Sequence, residues 1–270
     1  MCRLFGMHTG ARPTTAEFWL VDAPDSLEAQ SHANRDGFGI GTFGPDGSPD
    51  VEKAPLAAWQ DPEFAATAHT LRGTTFVAHV RHATNGGMLA ANTHPFLLDG
   101  RLFAHNGVVG DLGLLESHLA ERDGSSLVQG DTDSERVFAL ITAETRKASG
   151  DLGAGIQAAL AWIVANLEVV SVNFVLITPT DLWAFRYPEA DTLFVLDRGA
   201  GGARAGGPGS GGLDASGSHL AARAPELSER PAVVVASERL DDDPGWRAFE
   251  PGELVHVDQG LRIVSSRPLG

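Results

Sequence analysis

The sequence predicts an α+β fold on three observations. Short runs rich in β-branched and aromatic residues alternate with stretches of helical periodicity up to about Arg198. At 270 residues and 43% hydrophobic content the chain can bury a substantial core. Its longest apolar stretch, Ala154 to Val170, is interrupted by Gln157, Asn166 and Glu168 and reads as an amphipathic helix rather than a membrane span.

Taken in order, the runs bounded by turn-forming residues predict strands over Arg3 to His8, Phe38 to Phe43, Thr75 to Val80, Arg101 to His105, Val172 to Thr178, Leu182 to Arg186 and Leu193 to Asp197. Helices are expected over Thr14 to Val21, Pro62 to Leu71, Leu112 to Glu121, Asp133 to Ala148 and Leu152 to Leu167. In the last of these, Ile156, Leu160, Ile163, Val164 and Leu167 recur at helical spacing and define one buried face. Residues 199–230 open on a Gly-rich run that cannot offset its chain entropy by burial, so a flexible surface loop is expected there. Three further strands follow, over Ala232 to Ser237, Glu253 to Val257 and Arg262 to Ser265. Three are too few for a second domain, so residues 1–270 are read as one domain interrupted by the loop.

Charge and cysteine content narrow the function. With 35 acidic and 20 basic residues the net charge of -15 repels polyanions, which argues against nucleic acid and anionic membranes as partners. The N-terminus lacks the basic-then-apolar layout of a secretory signal, so a cytoplasmic protein is expected. One cysteine excludes an internal disulfide and any all-cysteine metal site. That cysteine is Cys2. Loss of Met1 would give it a free α-amine, a base beside a thiol, as in N-terminal nucleophiles; the competing reading is an inert residue at that position by chance.

Three other segments bear polar groups at the ends of apolar runs. The run Phe76 to Val80 leads into a Gly-rich turn carrying Arg81, His82, Thr84 and Asn85, where a guanidinium fork and a hydroxyl could read a carboxylate; a structural ion pair is the plain alternative. Phe103 to His105 delivers Asn106 and Gly107 to a turn, and their N–H groups would suit the oxyanion of a tetrahedral intermediate, although Asn-Gly is also a common hairpin turn. In Gly130 to Val137, Thr132 and Glu135 form a capping box, and Asp133 in the first helical turn could hold an ammonium or simply serve the helix dipole. His79 and His82 sit three apart on a strand and point to opposite faces, and no other histidines show ligand spacing, so neither metal nor organic cofactor is implied.

Together these groups make the inventory an α-amino acid side-chain amide would need. Six motifs, Cys2-Arg3-Leu4-Phe5-Gly6, Arg35-Asp36-Gly37-Phe38-Gly39, Arg81-His82-Ala83-Thr84, Asn92-Thr93-His94-Pro95-Phe96, His105-Asn106-Gly107 and Thr132-Asp133-Ser134-Glu135, resemble the class II glutamine amidotransferases in order and spacing. The resemblance spans most of the first 140 residues and, more loosely, Val172 to Arg186 and Val233 to Leu240. It implies a four-layer α-β-β-α sandwich of two antiparallel sheets, the fold of N-terminal-nucleophile hydrolases. Carried over, it makes Cys2 the nucleophile with its own α-amine as base, Arg81 and Thr84 the carboxylate readers, Asn106 and Gly107 the oxyanion hole, and Asp133, in preference to Asp131, the ammonium partner. Arg35, His82 and His94 fall in a supporting shell.

Synthase-fused members often carry tryptophan and histidine around the threonine, where this chain has His82 and Asn85. No ammonia-consuming domain is recognised after the first one. The expected activity is therefore cleavage of the side-chain amide of glutamine or a γ-glutamyl compound through a thioester on Cys2, with a separate ammonia-accepting protein as a conceivable partner. One alternative is a γ-glutamyl amide hydrolase in small-thiol, ergothioneine-type biosynthesis, although the intact segments around Arg81 and His94 look nearer the general stand-alone type. The other is a non-catalytic, glutamine-sensing subunit.

Overall fold

The computed structural model describes residues 2–83, 87–198 and 231–269. The chain runs β1 (Arg3–His8), α1 (Leu27–Gln30), β2 (Phe38–Phe43), β3 (Pro49–Ala54), α2 (Pro62–Thr70), β4 (Thr75–Val80), β5 (Phe96–Leu98), β6 (Arg101–Val109), α3 (Leu112–Ala120), α4 (Asp133–Lys147) and α5 (Leu152–Asn166). It continues with β7 (Val169–Ile177), β8 (Leu182–Arg186), β9 (Phe194–Arg198), β10 (Ala232–Ala236), β11 (Arg247–Ala248), β12 (Glu253–Val257) and β13 (Ile263–Ser266). Two antiparallel sheets result, one in the order β11-β9-β10-β1-β4-β2-β3 and one in the order β13-β12-β8-β7-β6-β5.

Strand alternation sorts the apolar side chains into layers. In the first sheet Phe5, Met7, Ile40 and Phe76 face outward against Trp19, Leu27 and Phe64, while Leu4 and Val77 face inward. There they meet Leu102, Ala104 and Val175 of the second sheet. The outward side chains of that sheet, Phe103, Phe174 and Phe185, pack under Phe138 of α4 and Leu160 of α5. The expected four-layer α-β-β-α sandwich is the observed architecture. The ends of α4 fit its dipole: Asp133 and Glu135 lie in the first turn, Arg146 and Lys147 in the last.

Several elements differ from expectation. A helix over Thr14 to Val21 is not formed; Thr14 bridges Gly73, and a five-residue π-helical turn, Phe18–Asp22, buries Phe18, Trp19 and Leu20 instead. β3 is a polar edge strand paired along its length with β2, and its charges conceal it in the sequence. On α5, Val164 is only half-buried, and the buried face turns toward Gly155 and Ala159. β6 runs on past His105 to Val109, so Asn106 and Gly107 are extended strand residues and not a turn. Strands β9 and β10 are antiparallel neighbours, with Ala232 opposite Arg198. The loop expected over 199–230 lies outside the described residues. Among the described residues no helix is long and apolar enough to cross a membrane.

Candidate active site

Strands β1 and β4 lie side by side with Arg3 opposite Val80, which places Cys2 alongside the residues that leave β4. The His82 amide donates to the Cys2 sulfur at 3.2 Å, and the thiol faces the His82 carbonyl at 3.4 Å. Burial pushes the Cys2 thiol up; the His82 backbone bond and the Arg81 guanidinium act against that rise, and the Asp133 carboxylate adds to it. The charges of Arg81 and Asp133 therefore both reach the sulfur.

Arg81 continues the inward row of Val77 and His79 and is 3% exposed. Its amide donates to Gly37 O at 2.7 Å and its carbonyl accepts from Asp36 N at 3.0 Å. Asp36 in turn accepts from Ala83 N at 2.7 Å, so the turn after Arg35 grips both sides of His82. The Arg35 side chain itself is exposed and donates from Nε to His32 O at 2.6 Å. Arg81 Nη1 donates to Gly87 O at 3.1 Å. Thr84 lies outside the described residues.

A strap connects Arg81 to the start of α4. Asn92 donates from Nδ2 to the same Gly87 carbonyl at 3.2 Å and accepts from Asp131 N at 3.0 Å. The Glu135 carboxylate accepts from Gln129 N at 2.9 Å and Gly130 N at 2.6 Å, while Thr132 Oγ1 accepts from Glu135 N at 3.2 Å. The expected capping box is thus half of one, with the glutamate turned to the loop before the cap. Asp133, 6% exposed, accepts from Val109 N and from Ser134 N, each at 2.9 Å. Asp131 is exposed.

The second sheet contributes Asn106. It shares the inward row of Leu102 and Ala104, which puts its side chain on the face turned to β1 and β4. It is 5% exposed, and its amide group makes no hydrogen bond to any described residue, unlike Asn173 opposite, which accepts from Tyr187 N at 3.0 Å. A donor with no partner among the described residues is available to a ligand. Gly107 follows where a Cβ would overlap the Ser171 carbonyl, so only glycine fits.

Behind Arg81 the buried His79 and His94 rings pack with centroids 4.2 Å apart. None of their ring nitrogens finds a hydrogen-bond partner among the described residues. Burial, with help from His105 and Arg81, pulls His79 down to about 3. Burial and the neighbouring His79 carry His94 well below its ordinary value. In both, burial favours the neutral ring. Among the described residues no group of three or more His, Cys, Asp or Glu side chains is arranged to hold a metal ion. Of the residues expected in the site, Arg81 and Asp133 both act on Cys2, and Asn106 faces them from the second sheet; Arg35 points away, and His82 acts through its backbone, its side chain being exposed. Sequence reasoning assigned no part to Asp36, Ser134 or the Asn92 amide, although all three lie inside quoted motifs.

The family described as "Glutamine amidotransferases class-II" matches residues 1–268. The chain is 30% identical over 270 residues to a γ-glutamyl-hercynylcysteine sulfoxide hydrolase of Mycobacterium tuberculosis, covering 96% of this chain and 94% of that one. The protein of the same name from Mycolicibacterium smegmatis is 30% identical over 280 residues, covering 98% and 99%. In fold, the glutamine phosphoribosylpyrophosphate amidotransferase of B. subtilis superposes with a TM-score of 0.65 at 20% identity, over 98% of this chain and 49% of that one. The chain belongs to the class II glutamine amidotransferases and is an amidohydrolase-type enzyme.

Proposed function

We propose that this enzyme hydrolyses a γ-glutamyl amide through a γ-glutamyl thioester on Cys2. The observation that carries the reading is the Cys2 sulfur pinned by the His82 backbone where the charges of a buried arginine and a buried carboxylate both reach it. With Met1 removed, the Cys2 α-amine takes the thiol proton, and the thiolate attacks the γ-carbonyl carbon. Asn106 and the Gly107 N–H hold the oxyanion. The C–N bond breaks as the ammonium returns its proton to the leaving amine, and water then hydrolyses the thioester to glutamate and free thiol. Arg81, with Thr84, takes the α-carboxylate in a bidentate grip, and Asp133 takes the α-ammonium. Arg35, His82 and His94 support this set from outside it.

The names of the full-length relatives turn the choice of leaving group away from ammonia and toward a sulfur-containing amine of the small-thiol type. This reverses the preference drawn from the motifs around Arg81 and His94, which both kinds of enzyme can share. On this reading the amine product leaves to solvent and no ammonia-accepting protein is required. The relatives' hydrolase names also speak against a silent glutamine sensor. The pairing of β9 with β10 across 199–230 supports reading the chain as one domain. The test compares kcat/KM for L-glutamine and for a γ-glutamyl amide of a cysteine-derived sulfoxide. Preference for the second by about tenfold or more supports the reading, and preference for glutamine contradicts it.

A further inference from the structure

Asn106 and Gly107 sit on a strand, and a strand residue is held only as firmly as its ladder. Here the ladder is irregular: the register between β6 and β7 shifts between Val108 and Val109. Two buried hydrogen bonds on the other face compensate. His105 Nδ1 and Ser134 Oγ share one of 2.9 Å, and Val109 N donates to Asp133 Oδ2 at 2.9 Å. They bracket the oxyanion pair, one on each side, and both fasten it to the first turn of α4. Burial pushes the His105 imidazole below its ordinary value, with Asp133 and Asp191 pulling against that, so the ring meets Ser134 as a neutral partner. The Ser171 backbone also acts on the ring, and Ser134 is its one side-chain hydrogen-bond partner among the described residues.

We infer that His105 and Ser134 form a positioning clamp that fixes Asn106 and Gly107 relative to Asp133, so that oxyanion donors and ammonium partner keep a set separation. The clamp touches no substrate atom. It rests on the roles proposed above for those three residues. Its loss should impair the chemical step, which depends on oxyanion geometry, more than substrate capture, which depends on Arg81 and Asp133.

The test uses the full chain with Met1 removed. Ser134→Ala is expected to lower kcat about tenfold or more with KM within about twofold. Ser134→Thr, which keeps the hydroxyl, should recover most of the loss, and His105→Asn, which keeps a hydrogen-bonding atom near Nδ1, should retain more activity than His105→Leu. A second readout does not need turnover: amide hydrogen exchange at Asn106 to Val109 should quicken in Ser134→Ala and not in Ser134→Thr. Unchanged kcat in a folded Ser134→Ala, a Thr variant no better than Ala, or unchanged exchange would each overturn the clamp. Failure of the parent reading looks different: the wild type would show no γ-glutamyl hydrolysis, or Cys2→Ala would keep it, and the exchange measurement would then decide the clamp alone.

Discussion

The sulfur of Cys2 stands between the two backbone polar groups of one residue, 3.2 Å from the His82 amide nitrogen and 3.4 Å from its carbonyl oxygen. As a thiol it can donate to the carbonyl and accept from the amide at once. As a thiolate it keeps the amide bond but faces a carbonyl dipole. The amide bond favours the thiolate but burial outweighs it, so the resting sulfur is held toward the protonated form and activation falls to a base that appears beside it.

Thiol reactivity should show this. Burial raises the Cys2 thiol, so at a given pH its thiolate fraction is smaller than that of a free cysteine. Iodoacetamide should alkylate Cys2 more slowly than free cysteine near neutrality and gain on it only at alkaline pH. Mass-spectrometric alkylation rates across pH check this, and a plateau already reached near neutrality would contradict it.

Arg81→Lys keeps the charge and loses the planar fork. For a carboxylate read bidentately the expected fall in kcat/KM is about 10- to 100-fold, or about 1.5–3 kcal/mol, carried mainly by KM. Steady-state kinetics on the preferred γ-glutamyl amide measures it; an unchanged KM would remove Arg81 from carboxylate binding.

Acid should unfold this protein early. His79, His94 and His105 are all depressed, His79 to about 3, so between their ordinary value near 6.5 and that range the unfolded chain binds protons the folded one refuses. Stability is present above that window and lost as pH falls through it, each histidine contributing up to about 1.4 kcal/mol per pH unit. Urea unfolding from pH 7 to pH 5 reads the slope, and a flat profile would contradict neutral burial of these rings.

Two glycines should respond oppositely to alanine. A Cβ at Gly39 would overlap the carbonyl oxygen of His94, whereas at Gly113, exposed on α3, it meets nothing within 4 Å. Gly39→Ala should destabilise by about 2 kcal/mol or more, and Gly113→Ala should stabilise by about 0.5–1 kcal/mol. Thermal melts of the two variants check the pair.

How far the sequence reveals this structure depends on what kind of signal each residue gives. β1, β2, β4, β8 and β12 fall where the apolar runs put them, because their mostly buried positions read as short apolar-rich runs bounded by turn-forming residues. β3 carries Asp50, Glu52 and Lys53 at a sheet edge, where polar residues are tolerated and the pattern disappears. Asn106 and Gly107 read locally as a turn, yet pairing with Asn173 and Val172 keeps them extended, a tertiary effect no local pattern contains. In the site, Cys2, Arg81 and Asp133 were legible as motif residues. Ser134 and Asp36 were not, because their importance lies in partners distant in sequence, His105 and Ala83.

The most direct test of the central claim is to trap the acyl-enzyme. Protein lacking Met1 is mixed with a γ-glutamyl amide, quenched in acid during turnover, and its N-terminal peptide weighed. The account predicts a γ-glutamyl adduct on Cys2 that disappears as substrate is exhausted, and neither adduct nor turnover in Cys2→Ala. Hydrolysis that persists in Cys2→Ala would contradict it.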